Sequence, residues 1–171
     1  MVRIIVYVTI FIVSSFFSII SAQDKPIKPC SEISYSEFNF WIGNWDVYNT
    51  KGELIGHNIV VKMPNACAIQ ENWTSKTSKS KGTSYNYYNK TNNTWNQVWI
   101  DNTGFSLVLK GSFKDNTMVL KSDLVVNDNG DYYNRITWTK NKDSSVTQVW
   151  DYLDKDNKKI KEVFRGIYKK R

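Results

Sequence analysis

The chain has 171 residues, of which 41% are hydrophobic and 23% are charged, and this composition excludes a disordered or fibrous protein and favours one globular domain. Seven Trp, ten Tyr and eight Phe bring the aromatic content to 15%, which favours strands over helices. The formal net charge is +7, but the lysines stand among Ser and Thr as in solvated loops, so we expect no nucleic-acid partner.

The first residues have the composition of a secretory signal peptide. Arg3 precedes the apolar run IIVYVTIFIVSSFFSII, which ends in small and hydroxylated residues before a polar turn. We expect cleavage after Ala22, which removes residues 1–22 and leaves Gln23 as the new N-terminus. The alternative is a retained anchor, since about 17 to 25 apolar residues span a bilayer. The sequence predicts a secreted or periplasmic protein without an integral membrane segment after cleavage.

Two cysteines, Cys30 and Cys67, predict one disulfide bond. An even number of cysteines in an exported chain is typical of a disulfide, because the compartment is oxidising. This bond would join the segment before residue 38 to a predicted strand, and closing that loop stabilises a fold by roughly 3 to 4 kcal/mol in the chain-entropy model. Two buried free thiols are the alternative.

The remaining chain divides into an extended lead-in over residues 23–37, where Pro26 and Pro29 disfavour a helix, and one domain over residues 38–171. Hydrophobicity in this domain alternates with a period of two between turn sequences rich in Asn, Asp, Gly and Lys. The predicted strands are 44–49, 53–62, 66–74, 82–89, 94–101, 105–113, 117–126, 132–140, 145–153 and 159–169. A long antiparallel meander must protect its edges, and closure does so. We therefore predict an all-β, up-and-down antiparallel barrel of about eight to ten strands, with a short helical plug at its N-terminus.

The stretch FNFWIGNWDVY, residues 38–48, begins this domain and concentrates large aromatic side chains. Two uses compete for these residues, a floor that closes the barrel and a wall of a binding site. We favour the floor. Gly43 permits a tight turn where a helical lead-in becomes the first strand, and Trp41 and Trp45 then plug the barrel end.

Two predicted strands carry a polar residue on an otherwise apolar face. Glu71 shares one face of strand 66–74 with apolar neighbours that include Trp73, and His57 shares one face of strand 53–62 with three aliphatic residues. We interpret both faces as inward. A buried polar group needs a partner, and a buried carboxylate needs a cation or a raised pKa.

An internal echo indicates the parity of further strands. Residues 85–101 and 136–152 align without gaps, and both read as strand, polar turn and strand. The residues that the alignment pairs are Tyr87 with Trp138, Gln97 with Gln148, and Trp99 with Trp150. We interpret the echo as a recurring hairpin whose large side chains face the barrel interior.

Together these faces predict a cavity that binds a small, partly polar or aromatic molecule, the only partner that we expect. Aromatic residues would supply its walls and a few polar residues would orient the ligand. The predicted ligand-binding residues are Glu71, Trp73, Tyr85, Tyr87, Gln97, Trp99, Trp138, Gln148, Trp150 and His57. The alternative is a filled barrel whose polar groups satisfy one another.

The sequence indicates no metal site and no cofactor. His57 is the only histidine, and no cysteine or carboxylate cluster stands at ligand spacing. No Ser-His-Asp or Cys-His arrangement is present, so we assign no catalytic residue. Two alternatives to a binding protein stay open. One is a cofactor-independent isomerase, hydratase or lyase that uses Glu71 as general acid or base, and the other is a surface interaction protein that uses the basic loop 76–81.

The motif FNFWIGNWDVY resembles the opening of calycin-superfamily barrels, in which an aromatic residue, a glycine and a tryptophan occur as F-x-G-x-W. Trp41, Gly43 and Trp45 take these positions. The segments that follow, ACAIQENW, GTSYNYYN, WNQVWIDN, RITWT, TQVWDY and FRGIY, are similar in sequence and order to a family of uncharacterised, exported, lipocalin-like bacterial proteins. The resemblance covers nearly all of residues 30–169. It implies the barrel fold and export, and it implies no particular activity.

Two further expectations depend on this resemblance. In lipocalins a late arginine packs on the motif tryptophan, which implies that Arg135 or Arg165 makes a cation–π contact with Trp45. The nitrobindin-like branch of the calycins holds haem through a late histidine. No histidine follows His57 here, so the resemblance implies no haem site.

Overall fold

The computed structural model describes residues 28–64 and 66–171, so the predicted signal peptide and residues 23–27 of the lead-in lie outside the described residues. Two 3₁₀ helices, Ile33–Ser36 and Asn39–Trp41, come first, and no helix in the described residues is long and apolar enough to cross a membrane. The strands are β1 (Gly43–Tyr48), β2 (Leu54–Lys62), β3 (Ala68–Ser75), β4 (Lys81–Asn89), β5 (Thr94–Asp101), β6 (Ser106–Lys114), β7 (Thr117–Lys121), β8 (Tyr133–Lys140), β9 (Val146–Leu153) and β10 (Lys159–Lys170).

The strands form one closed antiparallel barrel in which each strand pairs with its neighbours in sequence and β1 pairs with β10. Tight turns join the strands. Between β6 and β7, for example, Asp115 and Asn116 both take positive φ angles, of 50° and 61°, as a two-residue hairpin turn requires. The predicted all-β barrel with a short helical plug is confirmed.

Strand β7 is shorter than predicted, because it ends at Lys121 and not at residue 126. After it, the hydroxyl oxygen of Ser122 accepts a hydrogen bond from the main-chain N–H of Asn134 at 2.9 Å. The chain then leaves the sheet and returns to it only through a bridge between Val125 and Tyr132. A side-chain hydrogen bond thus replaces part of the backbone pairing that the alternating pattern had predicted beyond Lys121.

The aromatic plug closes one end of the barrel. Phe38, Trp41 and Trp45 are fully buried, and the ring of Phe38 stacks on Trp41 with 4.9 Å between centroids. Trp95 and Trp138 lie edge-on to Phe38 at 5.6 and 5.3 Å, an arrangement that aromatic pairs favour. These side chains form a dry floor, as the sequence led us to expect for Trp41 and Trp45.

The predicted disulfide bond between Cys30 and Cys67 is confirmed. It joins Cα atoms 5.2 Å apart across 37 residues of sequence. Cys30 lies just before the first 3₁₀ helix and Cys67 just before β3, so the bond holds the lead-in against the barrel wall.

The cation on the motif tryptophan is a lysine, which corrects the expectation of an arginine. Lys170 is the residue directly opposite Trp45 in the β1–β10 ladder, and its Nζ atom lies 4.4 Å from the indole centroid. The same ammonium group occupies the space over Gly43 that a Cβ atom would need. The register of the β1–β10 pair places Lys170 on Trp45, because side chains directly opposite each other on neighbouring strands are close enough for contact.

The two arginines have other partners. Arg135 lies directly across from Asp151 in the β8–β9 ladder and donates a hydrogen bond to its carboxylate at 2.8 Å. Arg165 donates two hydrogen bonds to Glu162, at 2.9 and 2.7 Å. The structural role that the resemblance implied for Arg135 or Arg165 on Trp45 is therefore wrong.

Candidate ligand cavity

A cavity of about 420 Å³ lies inside the barrel, between the aromatic floor and the loops that follow β3 and β5. Its apolar walls are Ile55, Trp73, Trp99, Phe105, Leu107, Ile136, Trp150, Val163, Phe164 and Tyr168. Its polar lining residues are Glu71, Gln97 and Gln148 on the strands, with Ser75, Thr77, Ser78, Ser80 and Asp101 nearer the loops. The volume falls in the range of small-molecule sites, roughly 300 to 1,000 Å³.

Two glycines make room for the tryptophans of the wall. A Cβ atom on Gly56 would collide with the ring of Trp73, and a Cβ atom on Gly82 would collide with the ring of Trp99. Each indole therefore lies directly over the backbone of a nearby strand, a close approach that only glycine allows. Because these rings lie against the wall, the centre of the barrel stays open.

Glu71 is a buried carboxyl group on the cavity side of β3, with 4% of its surface exposed. One carboxyl oxygen accepts a hydrogen bond from Asn58 at 2.8 Å and the other accepts one from Ser84 at 2.6 Å. Burial raises the pKa of Glu71 to about 7, although the hydrogen bonds from Ser84 and Asn58 act to lower it. The group therefore changes charge near neutral pH.

A chain of buried amides and a hydroxyl supports Glu71 from the neighbouring strands. Gln97 donates to Asn86 at 2.8 Å, Asn86 donates to Ser84 at 2.9 Å, and Ser84 donates to Glu71. Each group in this chain donates in the direction of the carboxyl group of Glu71, and hydrogen bonds in such a chain polarise and strengthen one another. The orientation of the Glu71 side chain is thereby fixed.

Tyr168 approaches the same region from β10. It is 1% exposed, and its hydroxyl donates to the side-chain oxygen of Gln148. Burial raises the pKa of Tyr168 well above its usual value, and the nearby Glu71 adds to the shift. The phenol therefore stays neutral where Glu71 titrates.

Most of the predicted ligand-binding residues line this cavity. They are Glu71, Trp73, Gln97, Trp99, Gln148 and Trp150. The inward parity predicted for strands β3, β5 and β9 therefore agrees with their positions, because alternate residues of a strand share a face. Their role in binding stays a prediction.

His57 lies on the outside of the barrel, which corrects the inward parity predicted for β2. The ring Nδ1 atom lies 2.7 Å from a carboxylate oxygen of Asp46 on β1. The residues of β2 that are buried are Gly56, Asn58 and Val60, and those that are exposed are Ile59 and Val61. The cause is a register shift in the β1–β2 pair, which leaves Ile55 without a direct partner. Such a bulge lets Ile55 and Gly56 both face inward and reverses the parity that follows.

Tyr85 and Tyr87 also lie on the outer surface, with 43% and 39% of their area exposed. The inner face of β4 carries Gly82, Ser84 and Asn86 instead. At Gly82 the indole of Trp99 occupies the space that a side chain would need, and Ser84 and Asn86 take part in the buried hydrogen bonds around Glu71. The inward direction that the internal echo predicted for Tyr87 is therefore wrong.

Trp138 faces inward but is not part of the cavity wall. It is fully buried in the floor, 5.3 Å from both Phe38 and Trp41 between ring centroids. The inward direction of Trp138 agrees with the prediction, but its position along the barrel axis places it in the aromatic plug. Alternation along a strand distinguishes inside from outside and gives no depth.

Sequence reasoning missed Tyr168, Phe164 and the polar partners of Glu71. The last strand was predicted, but no inward face was assigned to it, although Phe164 and Tyr168 stand on one alternating face. Asn58 and Ser84 carried no comparable pattern. They became visible as site residues only through their hydrogen bonds to Glu71.

Comparison of the chain with known protein families finds no match, and comparison with curated protein sequences finds none either. Within residues 28–64 and 66–171, no group of three or more His, Cys, Asp or Glu side chains is placed to hold a metal ion. The closed antiparallel barrel is consistent with a calycin or lipocalin-like fold.

Proposed function

We propose that the protein is an exported, lipocalin-like barrel that binds a small, partly polar or aromatic molecule in its interior without covalent chemistry. The observation that carries this proposal is the cavity of about 420 Å³, walled by Trp73, Trp99 and Trp150 around a buried carboxyl group. Apolar walls with few, fixed polar groups are typical of small-molecule sites. The disulfide bond and the resemblance to exported lipocalin-like proteins support export.

The polar groups support binding more than a filled barrel. Glu71, Ser84, Asn86 and Gln97 hydrogen-bond to one another along the wall and do not cross the centre. Because these hydrogen bonds run along the wall, they leave the space between the indoles free.

The test uses the neutral fluorescent probe N-phenyl-1-naphthylamine. We expect the purified protein to bind it, and Trp150→Ala to weaken binding by about tenfold, because stacking and apolar contact are lost. Tyr85→Ala is the matched control, since this aromatic ring lies outside the barrel and its loss should leave affinity unchanged. Absence of binding, or equal losses in both variants, contradicts the proposal.

Native mass spectrometry of the protein purified from its own host identifies the natural ligand. A co-purified small molecule that is lost from Trp150→Ala and kept by Tyr85→Ala is the expected result. The same molecule retained by both variants would place its site outside this cavity.

A second candidate function has one specific observation in its favour. Glu71 faces the cavity with a pKa of about 7, the value that suits a general acid or base at neutral pH. A cofactor-independent isomerase, hydratase or lyase would use this group. Titration of the ¹³C-labelled Glu71 carboxyl group by NMR tests this candidate, and a pKa near the ordinary value removes its basis.

A further inference from the structure

The end of the cavity around Glu71 offers more hydrogen-bond acceptors than donors. A carboxylate has about four acceptor positions, and the described residues supply two donors, from Asn58 and Ser84. Asn58 is itself fully buried, and its Oδ1 atom has no hydrogen-bond partner among the described residues. Of these two residues only Glu71 lines the cavity, so a ligand that donates hydrogen bonds at this point would fill the free acceptor positions of its carboxylate.

The part of the chain that the structure describes supplies no cation at this position. Within the described residues, no Lys, Arg or His side chain forms an ion pair with Glu71, and the titratable group that faces it is Tyr168. His57, on the adjoining strand, is on the outer face beside Asp46. Asp101 is near the mouth, where its carboxylate accepts hydrogen bonds from Thr103. A buried carboxylate without a cation is costly, so a positively charged ligand has a large electrostatic gain available here.

The walls around this carboxyl group suit a cation that carries an aromatic body. Trp73 follows Glu71 on the same face of β3, roughly 7 Å further along the strand. Trp99 and Trp150 complete the aromatic lining. Indole faces attract cations electrostatically and stack on flat rings.

We propose that the cavity takes an aromatic primary amine, whose ammonium group donates hydrogen bonds to Glu71 while its ring lies between the tryptophans. This inference rests on the proposed function and names the chemical class of its ligand. Neither a metal nor a covalent step is involved. The ammonium group supplies the cation that residues 28–64 and 66–171 do not place beside Glu71.

Lysines at the loop after β3 are the main charges that oppose a cationic ligand. Lys76, Lys79 and Lys81 are exposed. Their fields act through water and are screened over about 8 Å at physiological ionic strength, whereas Glu71 is buried and acts at short range. An anionic ligand held by these lysines is the competing outcome of the test.

The test compares three indole compounds of similar size by isothermal titration calorimetry at about pH 8. Tryptamine carries an ammonium group, tryptophol carries a hydroxyl, and indole-3-propionate carries a carboxylate. We expect tryptamine to bind at least about tenfold more tightly than either of the others. Glu71→Gln should reduce tryptamine affinity to the level of tryptophol, and Glu32→Gln, an exposed glutamate on the lead-in, should change nothing.

The pH dependence gives a second readout that needs no variant. Tryptamine requires ionised Glu71 and keeps its own charge, as aliphatic amines do below about pH 10. With the pKa of Glu71 at about 7, half of the carboxyl groups are ionised at pH 7 and about one in a hundred at pH 5, so tryptamine affinity should fall by about fiftyfold between these pH values. Tryptophol affinity should not fall in this way.

Equal binding of tryptamine and tryptophol, tighter binding of indole-3-propionate, or a flat pH profile for tryptamine overturns the inference. If N-phenyl-1-naphthylamine still binds inside the barrel, the proposed function survives that result. If neither the probe nor any indole compound binds, both the inference and the proposed function are wrong.

Discussion

The indole nitrogen of Trp45 donates a hydrogen bond to the main-chain carbonyl oxygen of Trp41 at 2.9 Å. Trp41 ends the second 3₁₀ helix and Trp45 belongs to the first strand, so this bond fixes the plug to the barrel across Gly43. Trp45 also lies edge-on to Tyr168, with 6.3 Å between centroids. The floor is therefore a joint between helix and sheet as well as a hydrophobic seal.

Removal of this side chain should cost stability and spare the ligand site. We expect Trp45→Ala to lower the free energy of unfolding by roughly 3 to 5 kcal/mol, as for other buried large aromatic residues. Urea unfolding followed by circular dichroism measures this change. Tyr87→Ala, on the exposed outer face, serves as control and should change it by less than about 0.5 kcal/mol. Wild-type stability in Trp45→Ala would mean that Trp45 is not part of a closing floor.

A methyl group added under Trp99 should narrow the cavity. In Gly82→Ala the new Cβ atom meets the indole ring, which must move toward the cavity centre. We expect weaker binding of N-phenyl-1-naphthylamine, together with a stability loss of about 1 to 3 kcal/mol from overpacking. Ser106→Val adds volume at an exposed position of β6 and should alter neither quantity. Unchanged probe affinity in Gly82→Ala would show that the ring does not bound the binding space.

Glu71 should make the barrel less stable as the pH rises. Its pKa is raised from 4.5 to about 7 by burial, so the folded state binds its proton more tightly than the unfolded state does. Its contribution is fully present below about pH 4.5 and is lost as the pH passes through 7, by about 3 kcal/mol in all.

The difference in unfolding free energy between wild type and Glu71→Gln isolates this effect. The variant should gain stability relative to wild type between about pH 5 and pH 8, because the amide cannot ionise. Glu32→Gln should follow the wild-type curve, since this side chain is exposed. A constant difference across this range would show that Glu71 has an ordinary pKa.

Loss of the disulfide bond should weaken the barrel without changing its architecture. Closing a loop of 37 residues limits the unfolded chain, so the double variant Cys30→Ser, Cys67→Ser should lose roughly 3 to 4 kcal/mol. Thermal unfolding measures the loss, and the β-sheet circular dichroism signal of the folded state should persist. If the double variant unfolds at the wild-type temperature, the disulfide bond does not limit the unfolded chain.

The barrel could be predicted from the sequence because each strand is short and bounded by turn residues. Parity was also readable where a strand pairs regularly, as for Gln97 and Trp99 on β5. It failed for His57, where an extra residue in β2 shifts the register. A bulge depends on pairing with another strand and leaves no mark in the local alternation.

The alternating pattern predicts neither how far along the barrel axis a side chain lies nor how much space is available to it. Trp138 and Trp150 look equivalent in their strands, but one lies in the floor and the other in the cavity wall. Tyr87 has the size of an inward residue, but the inner face of its strand carries Ser84 and Asn86, which hydrogen-bond to each other and toward Glu71. Only the closed arrangement of ten strands determines these heights and volumes.

The seven tryptophans are divided by height along the barrel axis. Trp41, Trp45, Trp95 and Trp138 are at most 2% exposed in the floor, whereas Trp73, Trp99 and Trp150 line the cavity. Under the proposed function, mutation of the cavity residues can change the ligand while selection for folding keeps the floor residues constant. A barrel of this kind can diverge in what it binds before its architecture changes.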